Sequence, residues 1–426
     1  MQKTFLKFII FELVERIVRF RLLLSECDDS LQKSAPVLNQ SLRAEVHALE
    51  ERLLSQKALL NKLFSEGNAG SGKQTAIGLE PLIAEIHAHL SQISRVLVHL
   101  KPLEVEPETL LFLKDILAPD LVKDAGEQSV FLAPEGEQNT LEHHLLPNVL
   151  LDTLSVLQKN NPLGWAGLAR GFGCYLLANA SSLEALKLDL LKSEKKKALA
   201  GLTQPLIDNL LLHAISLRLI GPAYYFHSLS EAVFNLDDAF LSFIEPALFY
   251  GLNHQNFTHK SLVIMHEACE RSKNLPDVDS LPEDMLAQIY RVIEKLIPTK
   301  AAFQEKHMER AIQLQERLSQ GVMLSSSPVY PVGEVADVLE STRELDDFSI
   351  YGPLSMLTEY PHTPREIVNA GWLHKIERGP VWLYTILNES HPEGFSKVSD
   401  LLGYQDHLLR KSIEVSEVHR VLLCGG

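Results

Sequence analysis

The sequence predicts an all-α, multi-helical protein with an N-terminal helical hairpin, a helical domain and a small C-terminal module. Three observations carry that expectation. Apolar residues recur at steps of three and four along most of the chain. Capping signatures precede the apolar runs: Asn139 with Glu142, Ser280 with Glu283, and Thr363 with Pro364 and Glu366. Stretches rich in Gly, Pro and Ser separate these runs, as at residues 67–78, 102–136 and 325–334.

The first element is a helix with a broad apolar face, on which Phe5, Phe8, Ile9, Leu13, Ile17, Phe20 and Leu24 recur. Lys7, Arg16, Arg19 and Arg21 give it a cationic side, and the combination matches an interfacial membrane helix. The competing reading is a terminal helix docked on the protein's own core or on a second copy, and Glu12 and Glu15 favour it. A second helix carries Leu42, Val46, Leu49, Leu53, Leu60 and Leu63, with polar Gln56 in the one missing seam position. A third carries Leu82, Ile86, His89, Ile93, Val96, Leu97 and Leu100. The first hundred residues therefore read as two or three long antiparallel helices.

Four regions follow from this pass: a long-helix hairpin over 1–103, an irregular connector over 104–138, a central helical domain over 139–324, and a C-terminal module over 325–426. In the last region, short strands are an alternative to helix at 376–387 and 412–424, because the apolar pattern there mixes periods. Tyr224, Tyr225, Phe226, Phe234, Phe240, Phe243, Phe249 and Tyr250 recur at helical spacing and read as core. No internal repeat of fixed period is present.

Composition narrows the function classes. The 426 residues are 46% hydrophobic and 22% charged, an ordinary globular balance. With 40 Lys and Arg against 55 Asp and Glu, the net charge of −15 disfavours a nucleic-acid partner. Cys27, Cys174, Cys269 and Cys424 are dispersed, which fits a reducing compartment and a cytoplasmic protein, with membrane association through the first helix as the variant. No secretion signal is read at the N-terminus, because Glu12 interrupts the apolar run.

Two motifs invite chemistry. Gly67–Lys73 fits the spacing of a phosphate loop, whose glycines let backbone N–H groups wrap phosphate. Gln74 stands where the Mg²⁺-binding hydroxyl belongs, and an amphipathic helix precedes the loop in place of a strand. The segment therefore reads as a turn between helices, and no nucleotide-binding residue is assigned. The second motif is His266-Glu267 with Glu270 where a zinc peptidase has its second His. On a helix, His266 and Glu270 would share a face with His259, and Glu267 would stand beside them as general base. Zinc or iron would suit those ligands. The competing reading is a polar packing seam held by an i,i+4 hydrogen bond.

The leading functional expectation is a non-enzymatic helical interaction or scaffold protein with a protein partner and no resident cofactor. Its contact residues are Phe5, Phe8, Ile9 and Leu13 on the first helix and Trp372 and Trp382 in the C-terminal module. Self-association is compatible with it. The alternatives are a metal-dependent hydrolase using His259, His266 and Glu270 with Glu267, and a peripheral membrane protein held on a membrane surface by the first helix.

Overall fold

The structure, a computed structural model, describes residues 2–34, 40–69, 72–100, 107–116, 129–133, 151–155, 161–192, 203–235, 237, 239–254, 257, 281, 283–299, 301–319, 362–387 and 398–424. The fold is helical. Its α-helices, among the described residues, are α1 (Gln2–Ser34), α2 (Gln40–Ala69), α3 (Gly72–Leu100), α4 (Pro107–Ile116), α5 (Ala169–Asn179), α6 (Ser181–Lys192), α7 (Gln204–Ile220), α8 (Pro222–Phe234), α9 (Glu245–His254), α10 (Glu283–Leu296), α11 (Glu305–Ser319), α12 (Pro364–Leu387) and α13 (Val398–Cys424). A 3₁₀ segment, Pro162–Leu168, leads into α5, and a π-helical segment, Phe240–Ile244, leads into α9.

The expected long helices are present and form two consecutive hairpins. Arg43 on α2 clamps Asp28 on α1 through two hydrogen bonds of 2.6 and 3.0 Å. Gln56, the polar residue in the α2 seam, is 1% exposed and reaches Glu85 Oε1 at 3.2 Å and His89 Nδ1 at 2.6 Å on α3. Burying an amide without partners would cost a few kcal/mol, so these bonds are what allow Gln56 to replace a leucine there. Leu53, Leu60, Ile86 and Ile93 fill the seam around it at 0% exposure.

Helices α1 and α12 are the central elements. Every residue from Ile10 to Phe20, and every residue from Arg365 to Ile376, is buried. The α2–α3 hairpin packs on α1 from one side, while α8, α12 and α13 pack on it from the other. One hydrophobic cluster joins α1, α2 and α3 with Phe234 and Leu402. A larger one extends from Phe112 through Trp165, Tyr224, Phe303 and Trp372 to Ile413. The expected boundaries at 139 and 325 lie outside the described residues. The aromatic residues of α8 and its successors lie where expected, with Tyr224, Tyr225 and Phe226 at 0% exposure.

Three local expectations differ from what is observed. Residues 376–387 and 412–424 belong to α12 and α13, not to strands. On α13 the buried positions Leu402, Asp406, Leu409, Ile413 and Ser416 alternate steps of four and three; the two polar members disguised that period. Within the central region expected to be helical, Leu151–Ser155 is a strand, β2, which pairs in parallel with β1 (Ser129–Ala133). A five-residue segment is too short to nucleate a helix, and Val130, Phe131 and Thr153 have strand-forming side chains. The capping box at Asn139 lies outside the described residues, as does Ser280 of the second; Glu283 opens α10.

The α7–α8 corner shows how α12 organises the core. The last carbonyls of α7 and the first amides of α8 lack partners within their own helices. Asn369 of α12, 0% exposed, donates to Ile220 O and accepts from Ala223 N, each at 2.8 Å. Arg365 donates to Leu219 O at 3.1 Å and Ala301 O at 2.6 Å. The box at the start of α12 is as expected: Thr363 N donates to Glu366 Oε2 at 2.8 Å, and Glu366 N to Thr363 Oγ1 at 3.3 Å. The turn itself rests on Gly221, at φ 84° and ψ −150°, beneath the Phe303 ring. A Cβ there would lie 2.4 Å from Phe303 Cδ1, in a backbone region reserved for glycine. Gly221→Ala is therefore expected to lower stability by about 1–3 kcal/mol, read as a reduced urea midpoint with helical circular dichroism retained. An unchanged midpoint would contradict this account of the corner.

Candidate functional site

The most chemically distinctive place in the described structure is a buried charged seam between α1, α8, α12 and α13. On α1, Glu12, Glu15, Arg16 and Arg19 are spaced i, i+3, i+4 and i+7 and so share one face. Helix α8 presents His227, Ser230 and Glu231 at the same kind of spacing, α12 presents Trp372 and Lys375, and α13 presents Asp406. All of these except Glu231, whose side chain is 22% exposed, are below a tenth exposed.

Each charge in the seam meets an opposite one. Lys375 Nζ lies 2.6 Å from Glu12 Oε1 and 2.8 Å from Glu15 Oε2. It also sits 4.7 Å from the centroid of the Trp372 ring and 5.6 Å from that of Phe11, within range of cation–π attraction. Arg19 donates through Nε to Glu15 at 2.8 Å and grips Asp406 with both terminal nitrogens. Arg16 donates to Glu231 Oε1 at 2.5 Å, and its guanidinium lies 4.1 Å from the centroid of the Phe234 ring. Ser230 Oγ donates to Glu12 Oε2 at 2.6 Å.

The protonation states follow from this geometry. Burial favours a neutral Glu15, but Lys375 and Arg19 outweigh it and hold the carboxyl down at about 2. Burial likewise opposes the Lys375 ammonium, and Glu12 and Glu15 overcome it, raising its pKa above the usual lysine range. Glu231 is lowered by Arg16 against the same desolvation. Asp406 goes the other way, since burial raises its pKa more than Arg19 lowers it. His227 is pushed down to about 4, first by burial and then by the nearby cations, with Glu231 opposing. It is therefore neutral at physiological pH.

A cavity of about 40 Å³ opens at this seam, lined by Glu12, Glu15, Arg16, Arg19, Asn161, Gly164, His227, Ser230, Glu231, Trp372 and Lys375. Asn161 is fixed there as the N-cap of the 3₁₀ segment, its Oδ1 accepting from Leu163 N at 3.2 Å. Trp372 is held by its indole N–H, which donates to Leu163 O at 2.8 Å. Among the described residues, no group of three or more His, Cys, Asp or Glu side chains is arranged to hold a metal ion.

The residues singled out by sequence fall elsewhere. His259, His266, Glu267 and Glu270 lie outside the described residues. Gly67–Ala69 end α2 and Gly72 opens α3, so a helix precedes the loop where a phosphate loop requires a strand. Of the expected contact residues, Leu13 and Trp372 are each 2% exposed and belong to the interior, while Ile9 is half-buried against the core. The physical reason is that the other helices cover α1 on all sides between Ile10 and Phe20. Its Arg16 and Arg19 face internal carboxylates and are not turned toward a membrane surface. Phe5 and Phe8 belong to α1, and Trp382 to α12. No described helix is long and apolar enough to cross a membrane.

Sequence reasoning missed the seam because it read the charges of α1 as a solvated side. One signal was present: Ile10, Phe11, Leu13, Val14, Ile17, Val18 and Phe20 surround those charges at every helical angle, leaving no face for water. Comparisons of the chain with protein-family models, curated proteins and solved structures return no match.

Two outcomes follow from the seam. Lys375→Met leaves Glu12 and Glu15 buried without their cation and is expected to cost about 3–5 kcal/mol in urea unfolding. Adding Glu12→Gln and Glu15→Gln should recover part of that loss, since the stranded charges are then gone; a triple variant as unstable as the single one would sink the electrostatic explanation. Stability should also fall with acid in two stages. His227 binds its proton near 6.5 when unfolded and at about 4 when folded, so its contribution is complete above 6.5 and is lost as pH falls through that interval. Glu15 titrates near 4.5 unfolded and at about 2 folded, so its contribution is lost between those values. His227→Gln should flatten the first stage alone, measured as unfolding free energy against pH.

Proposed function

We propose that this protein is a non-enzymatic helical interaction protein whose partner-facing element is the outer side of α2. The observation that carries the reading is the one-sided packing of that helix. Leu53, Gln56 and Leu60 turn inward, while Leu54 and Leu59 are 42% and 48% exposed. Exposed Glu51, Arg52 and Lys62 carry both signs of charge around them. An apolar contact with a mixed polar rim is the usual anatomy of a protein–protein interface. The seam supports the same reading, because its charges hold helices together in mutually neutralising pairs. The dispersed cysteines are consistent with a cytoplasmic setting.

Site-specific photocrosslinking in cells tests the proposal. A crosslinker at position 54 or 59 should trap one discrete protein adduct, and the same group at Leu188, 47% exposed on α6, should not. No adduct from α2, or an equal yield at all three positions, would remove α2 as the contact surface.

A further inference from the structure

The outward face of α2 is laid out with an internal two-fold symmetry. Its exposed residues include Glu51, Leu54, Ser55, Ala58, Leu59 and Lys62. At about 100° per residue these six share one face, on the opposite side of the helix from the buried Leu53, Gln56 and Leu60. They are disposed evenly about the Gln56–Lys57 peptide: Glu51 answers to Lys62, Leu54 to Leu59, and Ser55 to Ala58. Glu51 and Lys62 lie on the midline of the face, the two small residues beside it, and the two leucines at its flanks. The Ser55 hydroxyl already donates to Arg52 O at 2.8 Å within the helix, so covering this face strands no hydroxyl proton there.

We propose that α2 docks antiparallel on α2 of a second copy of this chain, across a two-fold axis that passes beside the Gln56–Lys57 peptide. The inference rests on the reading of α2 as the contact element and names its partner. Charge complementarity carries it. A two-fold contact sets the same patch against itself, so a patch suits it only if its own two halves are complementary. Here Glu51 meets Lys62 of the second copy, and Lys62 meets its Glu51. Leu54 lies over Ala58 of the second copy and Leu59 over its Ser55, large side chains on small ones, which lets the helices approach closely. A parallel pairing would set Glu51 against Glu51 and Lys62 against Lys62, so the charges select the antiparallel arrangement. Each copy carries a net charge of −15, which repels a second copy over most of the surface and favours a face where the signs match. A helix pair in contact over about three turns buries less than the roughly 1,200 Å² of a standard interface, so the dimer is reversible, with a micromolar dissociation constant.

Sedimentation velocity of the purified full chain across the micromolar range tests the inference, with a monomer–dimer equilibrium as the expected result. Glu51→Lys and Lys62→Glu each set like charges opposite one another twice per dimer, and each should raise the dissociation constant about tenfold. Joining both changes in one chain restores the opposite pairs, and so does mixing the two single variants. Either should return the dissociation constant to near the wild-type value, which a variant that had merely lost its fold would not do. Leu54→Ser with Leu59→Ser should leave the chain monomeric. A wild-type chain that stays monomeric throughout overturns the inference, as does a charge swap that fails to rescue. Crosslinking from position 54 separates this inference from the reading beneath it. An adduct of twice the chain's mass supports self-docking. An adduct with a different protein overturns self-docking and leaves α2 as the contact surface, and no adduct removes both.

Discussion

Lys375 sits between Glu12 and Glu15 with 3% of its surface exposed, and the docking of α1 against α12 depends on that contact. Three charges removed from water are costly unless each finds a close opposite partner. Distances of 2.6 and 2.8 Å meet that condition in only one register. A slip of α1 by a single turn, about 5.4 Å, would separate all three and would also break Arg16 from Glu231 and Arg19 from Asp406. Apolar packing favours the burial of α1 without choosing its axial position or rotation; the ion pairs choose both.

The same two helices organise their surroundings. Helix α12 gives Lys375 to the seam and, one to three turns earlier, gives Arg365 and Asn369 to the unsatisfied end of α7 and start of α8. That corner positions α8, which carries His227, Ser230 and Glu231 back to the seam. Trp372 joins the two regions, stacking near Phe226 with ring centroids 6.2 Å apart while its indole holds the 3₁₀ segment that ends the cavity at Asn161 and Gly164. The cavity is therefore a product of the core's polar contacts, and its walls are fixed by partners on four different elements.

Periodicity made the helical class, the long N-terminal helices and the α12 capping box legible, because those depend on residues within a few positions of one another. Gln56 was visible as an irregularity in the α2 seam, although its partners Glu85 and His89 lie about thirty residues away on α3. Helix α13 was obscured where Asp406 and Ser416 occupy buried positions that a hydrophobic pattern expects to be apolar. For α1 the reading erred in the same way: four charged side chains imply a wet face unless their partners are known.

Taken alone, the sequence determined that the chain forms helices, where several of them begin, and that its aromatic residues belong to a core. These are consequences of local hydrogen bonding and of side-chain period. Tertiary structure alone decided that Glu12, Glu15, Arg16 and Arg19 face inward, and that His227 is left facing a cavity. The reason is distance along the chain. The groups that neutralise the charges of α1 lie more than two hundred residues later on α8, α12 and α13, and only folding brings them within hydrogen-bonding range.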